Sequence, residues 1–238
     1  MLKLIIMFKS NKVFDMKKIF LFYSIFILFM FLNINPATAS CPEGYSQGNF
    51  AFTYNQYEPP YTSCSVTVTY CYFCSMLGVG FDVKIEQIKF GNINCLTAAY
   101  NSDNIPNNPH SFSKQLESNL MKDLLNNTNC IKPCDWLGWQ QFDNVISSLS
   151  CSKVINDVNL AVLILVPCES SARCNKLYRV CVNIGESGLE LHKELVSTYI
   201  TGSEDCPYTS GLPPLPPFGY DPWEYWESEC FVWPNDCQ

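Results

Sequence analysis

Cysteine placement constrains this chain more than any other feature: all 14 cysteines lie beyond residue 40, and six of them mark one pattern used twice. The first copy is Cys64-SVTVTY-Cys71, a glycine-containing turn, FDVKIEQIKF and then Cys95. The second is Cys174-NKLYRV-Cys181, the turn Gly185-Glu-Ser-Gly188, LELHKELVSTYI and then Cys206. Six residues separate the first two cysteines in both copies, and 23 or 24 separate the second from the third. Val68, Tyr70 and Tyr72 fall opposite Tyr178, Val180 and Val182. β-Branched and aromatic residues alternating with polar ones suit a half-buried pleated strand. The pattern predicts two related antiparallel hairpins, 64–95 and 174–206.

An even number of cysteines in an exported chain reads as a disulfide framework, and the N-terminus predicts export. Met16-Lys17-Lys18 is a short basic segment, Ile19 to Leu32 is an uncharged apolar run, and Ala37-Thr38-Ala39 supplies small residues for cleavage. Residues 1–39 are therefore expected to be a removable signal peptide with an upstream extension. The apolar run is too short to cross a bilayer comfortably, so no transmembrane segment is expected in the mature chain. The expected location is secreted or cell surface, extracellular or periplasmic. Thr38-Ala39-Ser40-Cys41 also admits a lipoprotein reading, with lipid on Cys41.

Cleavage after Ala39 leaves 199 of the 238 residues, enough for one domain with its own core. It also removes five of the 15 basic and one of the 22 acidic residues, leaving 10 against 21 and a net charge of −11. A surface that acidic repels nucleic acid at long range, so no nucleic-acid partner is expected.

The disulfide candidates are Cys41, Cys64, Cys71, Cys74, Cys95, Cys130, Cys134, Cys151, Cys168, Cys174, Cys181, Cys206, Cys230 and Cys237, up to seven bonds. Zinc would need clustered thiolates or histidines. Cys71-Tyr-Phe-Cys74 is the only CxxC, and His110 and His192 are the only histidines, so no metal or other cofactor is expected. Hairpin geometry makes Cys64–Cys95 and Cys174–Cys206 candidate bonds. Cys71 and Cys181 would then pair elsewhere, with Cys41 and Cys168 as candidates, and Cys230 and Cys237 would bond each other or the body.

The expected fold class is α+β, with the two hairpins flanking a helical insert. NFAFTYNQY reads as a strand before the first hairpin. In FDVKIEQIKF the apolar phase slips by one residue, which predicts a β-bulge near Gln87. Asn101 to Pro109 reads as a loop. Phe112, Leu116, Leu120 and Leu124 recur every four residues, a helix with Ser111 or Ser113 as N-cap. Trp136, Trp139, Phe142, Val145, Ile146 and Leu149 suggest a second helix, and Val158 to Val166 a buried strand. Asn126-Asn127-Thr128 is a glycosylation sequon, meaningful in a eukaryotic host.

The expected domains are 40–206 for the stapled body and 207–238 for a Pro-rich, acidic and aromatic tail. Phe218, Tyr220, Trp223, Tyr225, Trp226, Phe231 and Trp233 make that tail a candidate interaction segment. The alternative is that the tail folds back and buries its rings against the sheet.

No residue set points firmly to catalysis. A redox role for Cys71 and Cys74 would need a thiol activated at a helix N-terminus, whereas the motif ends a β run. Ser187 and His192 lack the glycine that a nucleophile elbow places two residues after the serine, because Leu189 stands there. Asp135 and Asp143 beside Trp136 and Trp139 are the most suggestive carboxylates for glycoside hydrolysis. The expectation is a non-enzymatic binding protein with a protein or carbohydrate partner. The alternatives are a secreted hydrolase acting on polysaccharide through Asp or Glu, and a structural envelope or matrix component.

Overall fold

The sheet divides at one strand, Phe81–Phe90, which is β3 in chain order after β1 (Ser46–Asn55) and β2 (Ser63–Cys74). The computed structural model describes residues 41–56, 63–75, 80–135, 144–168, 172–185, 188–202, 206, 213–234 and 237. The remaining elements are α1 (Ile93–Asp103), α2 (Phe112–Asn127), β4 (Asn144–Leu149), β5 (Cys151–Asp157), β6 (Val162–Pro167), β7 (Arg173–Gly185), β8 (Gly188–Thr201) and β9 (Phe231–Val232). Among the described residues the fold is thus predominantly a mixed, nine-stranded sheet with two short helices, rather than a balanced α+β arrangement.

Along one edge β3 pairs antiparallel with β2, which pairs with β1. The other edge is shared. Residues Asp82 to Lys84 pair parallel with β4, and Ile88 to Phe90 pair antiparallel with β6. Beyond β4 come β7 and β8; beyond β6 come β5 and β9. Between the two branches the ladder shifts register, Thr69 facing Gln87 while Tyr70 faces Ile85, which makes Glu86 the extra residue. That is the bulge expected near Gln87. A bulge bends its strand and increases the twist, which suits a strand that must serve two diverging neighbours.

The β7–β8 hairpin carries its own bulge, with Leu177 facing Ser197 and Tyr178 facing Leu195, so that Val196 is extra. Glu86 and Val196 each lie 22 residues after the first cysteine of their hairpin. Each hairpin also has a third strand on its first member, β1 on β2 and β4 on β7, both antiparallel.

Alternation along the strands builds the core. Val66, Val68 and Tyr70 of β2, Phe81, Val83, Ile85, Ile88 and Phe90 of β3, and Tyr178, Val180 and Val182 of β7 belong to one buried cluster. The helices contribute Leu96, Ala99 and Tyr100 from α1 and Phe112, Leu116, Leu120, Met121 and Leu124 from α2. The Ser111 side chain caps α2 by accepting from Lys114 N, and Asn92 caps α1 by accepting from Cys95 N. At Gly48, opposite Tyr70 in the β1–β2 ladder, an added Cβ would strike the Tyr70 ring.

The described part of the second expected helix is a strand. Asn144 to Leu149 form β4, while Trp136, Trp139, Phe142 and Asp143 lie outside the described residues. Asn144 explains the strand locally: its side chain accepts from Phe81 N and donates to Tyr178 O, bridging β3 and β7. The buried strand expected at 158–166 begins at Val162, because a turn occupies Val158 to Ala161. The loop expected from Asn101 begins at Asn104, after the end of α1.

All 14 cysteines lie in seven disulfides: Cys41–Cys71, Cys64–Cys95, Cys74–Cys130, Cys134–Cys181, Cys151–Cys206, Cys168–Cys230 and Cys174–Cys237. Cys64 bonds Cys95 because the first turn of α1 starts where the hairpin ends. The Cys174–Cys206 bond does not form. Cys174 faces Ile200, and the chain beyond β8 carries Cys206 across to β5 instead. The bonds close loops of 30 to 63 residues. In the chain-entropy model a loop of that length contributes about 4 kcal/mol when closed alone.

The described part of the 207–238 segment belongs to the same compact unit as the described part of the body. Phe231 and Trp233 are buried in the core, and β9 pairs with β5. Cys230 and Cys237 bond to the body, not to each other. Asn156 of β5 holds the preceding stretch by donating to Pro222 O and Glu224 O and accepting from Trp226 N. No helix among the described residues is long and apolar enough to cross a membrane. The expected signal peptide, residues 1–39, lies outside the described residues.

Candidate functional site

The strands that bury Phe81, Val83 and Ile85 on one face present Asp82 and Lys84 on the other, and the bulge adds Glu86 to them. Val145 and Ser147 of β4, Arg173 and Asn175 of β7, and Tyr199 and Thr201 of β8 continue this surface. Together with Pro42 they line an open cleft of about 460 Å³. Its N-terminal wall, residues 41–45, is held by the Cys41–Cys71 bond and by Tyr45, whose hydroxyl donates to Asp82. Lys84 Nζ lies 4.6 Å from the centre of the Tyr45 ring, a cation–π contact.

The floor of the cleft is pre-organised. Arg173 Nη2 lies 3.0 Å from both Glu86 carboxylate oxygens, and Nη1 donates to Ile85 O at 3.0 Å. The guanidinium thus satisfies a backbone carbonyl at the point where β4 and β6 part. Beside it, Ser147 Oγ donates to Asn175 Oδ1, and Asn175 Nδ2 donates to Thr201 Oγ1 at 2.8 Å. Among the described residues Asp82 Oδ1 is buried without a hydrogen-bond partner, a state that costs about 1–3 kcal/mol unless a donor arrives. Burial, and then the neighbouring Asp82 carboxylate, push Tyr45 up to about 12.

A second cleft, of about 490 Å³, opens between α2 and the β7–β8 hairpin. Lys176 and Tyr178 there both bond Glu117, at 2.5 and 2.6 Å, and all three side chains are buried. This is a buried charge already matched by its neighbours. Such triads fix the packing of one element on another and are costly to break, which is the role that α2 docking requires.

The residues singled out from the sequence are scattered. Cys71 and Cys74 bond Cys41 and Cys130, not each other, and Cys41 therefore has no free thiol for lipid. His192 is exposed on β8 beside Asn183, and Ser187 lies outside the described residues. Asp135 is exposed, and its expected companions Trp136, Trp139 and Asp143 lie outside the described residues. The sequon residue Asn126 is exposed near the end of α2. The tail rings divide. Phe231 and Trp233 are core; Tyr220 and Trp226 are half-buried against each other; Phe218, Trp223 and Tyr225 are exposed. The cleft residues were not recognised from the sequence, where Asp82, Lys84 and Glu86 are simply the polar residues that alternate with Phe81, Val83 and Ile85. The signal was the phase slip, because a bulge re-aims side chains and often borders a site.

The chain matches no protein-family model, no curated protein and no solved structure.

Proposed function

We propose that this is an extracellular, non-enzymatic binding protein whose ligand is a polyhydroxylated molecule, a glycan, held in the polar cleft across β3, β4, β7 and β8. The disulfide framework suits an oxidising, extracellular setting, and the matched bulge offsets suggest that the two hairpins arose as an internal repeat. The observation that carries the reading is the cleft lining itself. Carboxylates, a guanidinium, an amide and hydroxyls are fixed on neighbouring strands by their own hydrogen bonds, with the exposed ring of Tyr199 at the rim. Sites on strands with locked side chains bind with little reorganisation. A lining rich in paired donors and acceptors matches hydroxyl groups better than an apolar ligand, and an aromatic ring offers a face for a sugar.

The test is calorimetric titration of oligosaccharides selected on a glycan array. The Tyr199→Ala variant should lose binding at least tenfold while keeping its stability, because Tyr199 is exposed. Unchanged affinity in that variant, or no glycan captured at all, would count against the cleft.

Two alternatives rest on particular observations. Asp82 and Glu86 share the cleft, so a hydrolase acting on polysaccharide would release new reducing ends from the captured glycan. A structural matrix component would use β8, which among the described residues pairs only with β7 and exposes Leu195, Val196 and Tyr199. That reading predicts concentration-dependent assembly in size-exclusion chromatography.

A further inference from the structure

Cys151 and Cys168 occupy opposed positions in the β5–β6 ladder, one step beyond the Ser152–Pro167 pair, with Cys168 N donating to Cys151 O at 3.2 Å. Opposed residues in an antiparallel pair have Cα atoms about 4.5–5.5 Å apart, inside the range a disulfide spans. Yet each is bonded elsewhere, Cys151 to Cys206 and Cys168 to Cys230. The Sγ atoms of Cys151, Cys168 and Cys230 all lie within 4.8 Å of one another, the only such group among the described residues. Cys151 and Cys168 are buried while Cys206 and Cys230 are half-buried, so a thiol arriving from solvent meets Cys206 or Cys230 first.

We propose that Cys151, Cys168, Cys206 and Cys230 form a thiol–disulfide exchange site operated catalytically by a small extracellular thiol of the glutathione class. The incoming thiolate attacks Cys206 Sγ, forming a mixed disulfide there and expelling Cys151 as thiolate. Cys151 Sγ then attacks Cys168 Sγ, forming the cross-strand Cys151–Cys168 bond and expelling Cys230. Cys230 Sγ attacks Cys206 in the mixed disulfide, forming Cys206–Cys230 and returning the small thiolate. Two disulfides are present before and after, so nothing is oxidised or reduced overall. What changes is the tail's anchor. Cys230 leaves the end of β6 for the segment after β8, one residue from Phe231, which packs in the core. Exchange at this site therefore loosens or tightens β9 without opening the rest of the framework.

The test uses the full mature chain, incubated with sub-stoichiometric reduced glutathione at mildly alkaline pH, quenched in acid, digested and mapped by mass spectrometry. Peptides joined through Cys151–Cys168 and through Cys206–Cys230 should appear together and in equal amount, with the other five pairings unchanged. A Cys206→Ser variant starts at the second step. Alkylated after acid quench and denaturation, it should carry its label on Cys230 at least tenfold more than on Cys151. Absence of the Cys151–Cys168 peptide, scrambling across all pairs, or label confined to Cys151 would overturn the proposal. The wild-type mapping decides alone if the variant does not fold.

Discussion

Replacing Trp233 by alanine tests whether the C-terminal segment is part of the core. Trp233 is 3% exposed, packs edge-on to Tyr100 at 5.4 Å between ring centres, and lies near Phe90, Phe112 and Phe231. Its Nε1 donates to Asp103 Oδ2 at 2.9 Å. Truncating a buried tryptophan costs about 3–5 kcal/mol through lost transfer energy and the cavity left behind. Asp103 keeps its bonds to Ser113, so little is added for a stranded carboxylate. A loss of about 4 kcal/mol lowers Tm by about 8–16 °C in a domain of this size. The control is Trp223→Ala in the same segment. Trp223 is 64% exposed, and such surface changes stay within about 0.5 kcal/mol. Both variants are measured by thermal and urea unfolding with the disulfides intact. Equal and small effects would refute the packed tail.

Glu117→Gln should cost about 3 kcal/mol in urea unfolding, because it removes the buried counter-charge of Lys176; the double change Glu117→Met with Lys176→Met should recover most of it. Arg173→Met frees Glu86 and the Ile85 carbonyl at the fork; we expect a loss of about 2 kcal/mol, smaller than for a fully buried pair because both side chains keep some solvent contact. Tyr45 has its folded value raised to about 12 from 10.0, so the neutral hydroxyl belongs to the folded state. Its contribution is complete below the unfolded value of 10.0 and is lost as pH rises toward 12, so stability should fall across that window in wild type and less in Tyr45→Phe.

Local features of the fold were legible and distant ones were not. The four-residue spacing from Phe112 to Leu124 and the serine before it specify α2 and its cap. The phase slip in β3 specifies its bulge, and a short turn places Cys64 beside Cys95. The β4 stretch misled because its apolar residues follow a helical spacing from Trp136 onward. The deciding contacts were the Asn144 bonds to β3 and β7, which no local pattern contains. Cys174–Cys237 closes 63 residues, and hairpin geometry says nothing about partners so far away. In the tail, Trp223 and Trp233 look alike in sequence, but only Trp233 reaches the ring cluster of Phe90, Tyr100 and Phe112. The cleft draws on residues from Pro42 to Thr201, so only the folded sheet brings it together.

The measurement closest to the proposed function is a chemical-shift titration of isotope-labelled mature protein with a glycan captured on the array. Ligand in the sheet cleft should perturb Asp82, Lys84, Ser147, Asn175, Tyr199 and Thr201 together. Shifts confined to Phe218, Trp223 and Tyr225, with those strands unmoved, would place recognition on the exposed tail rings and contradict the cleft.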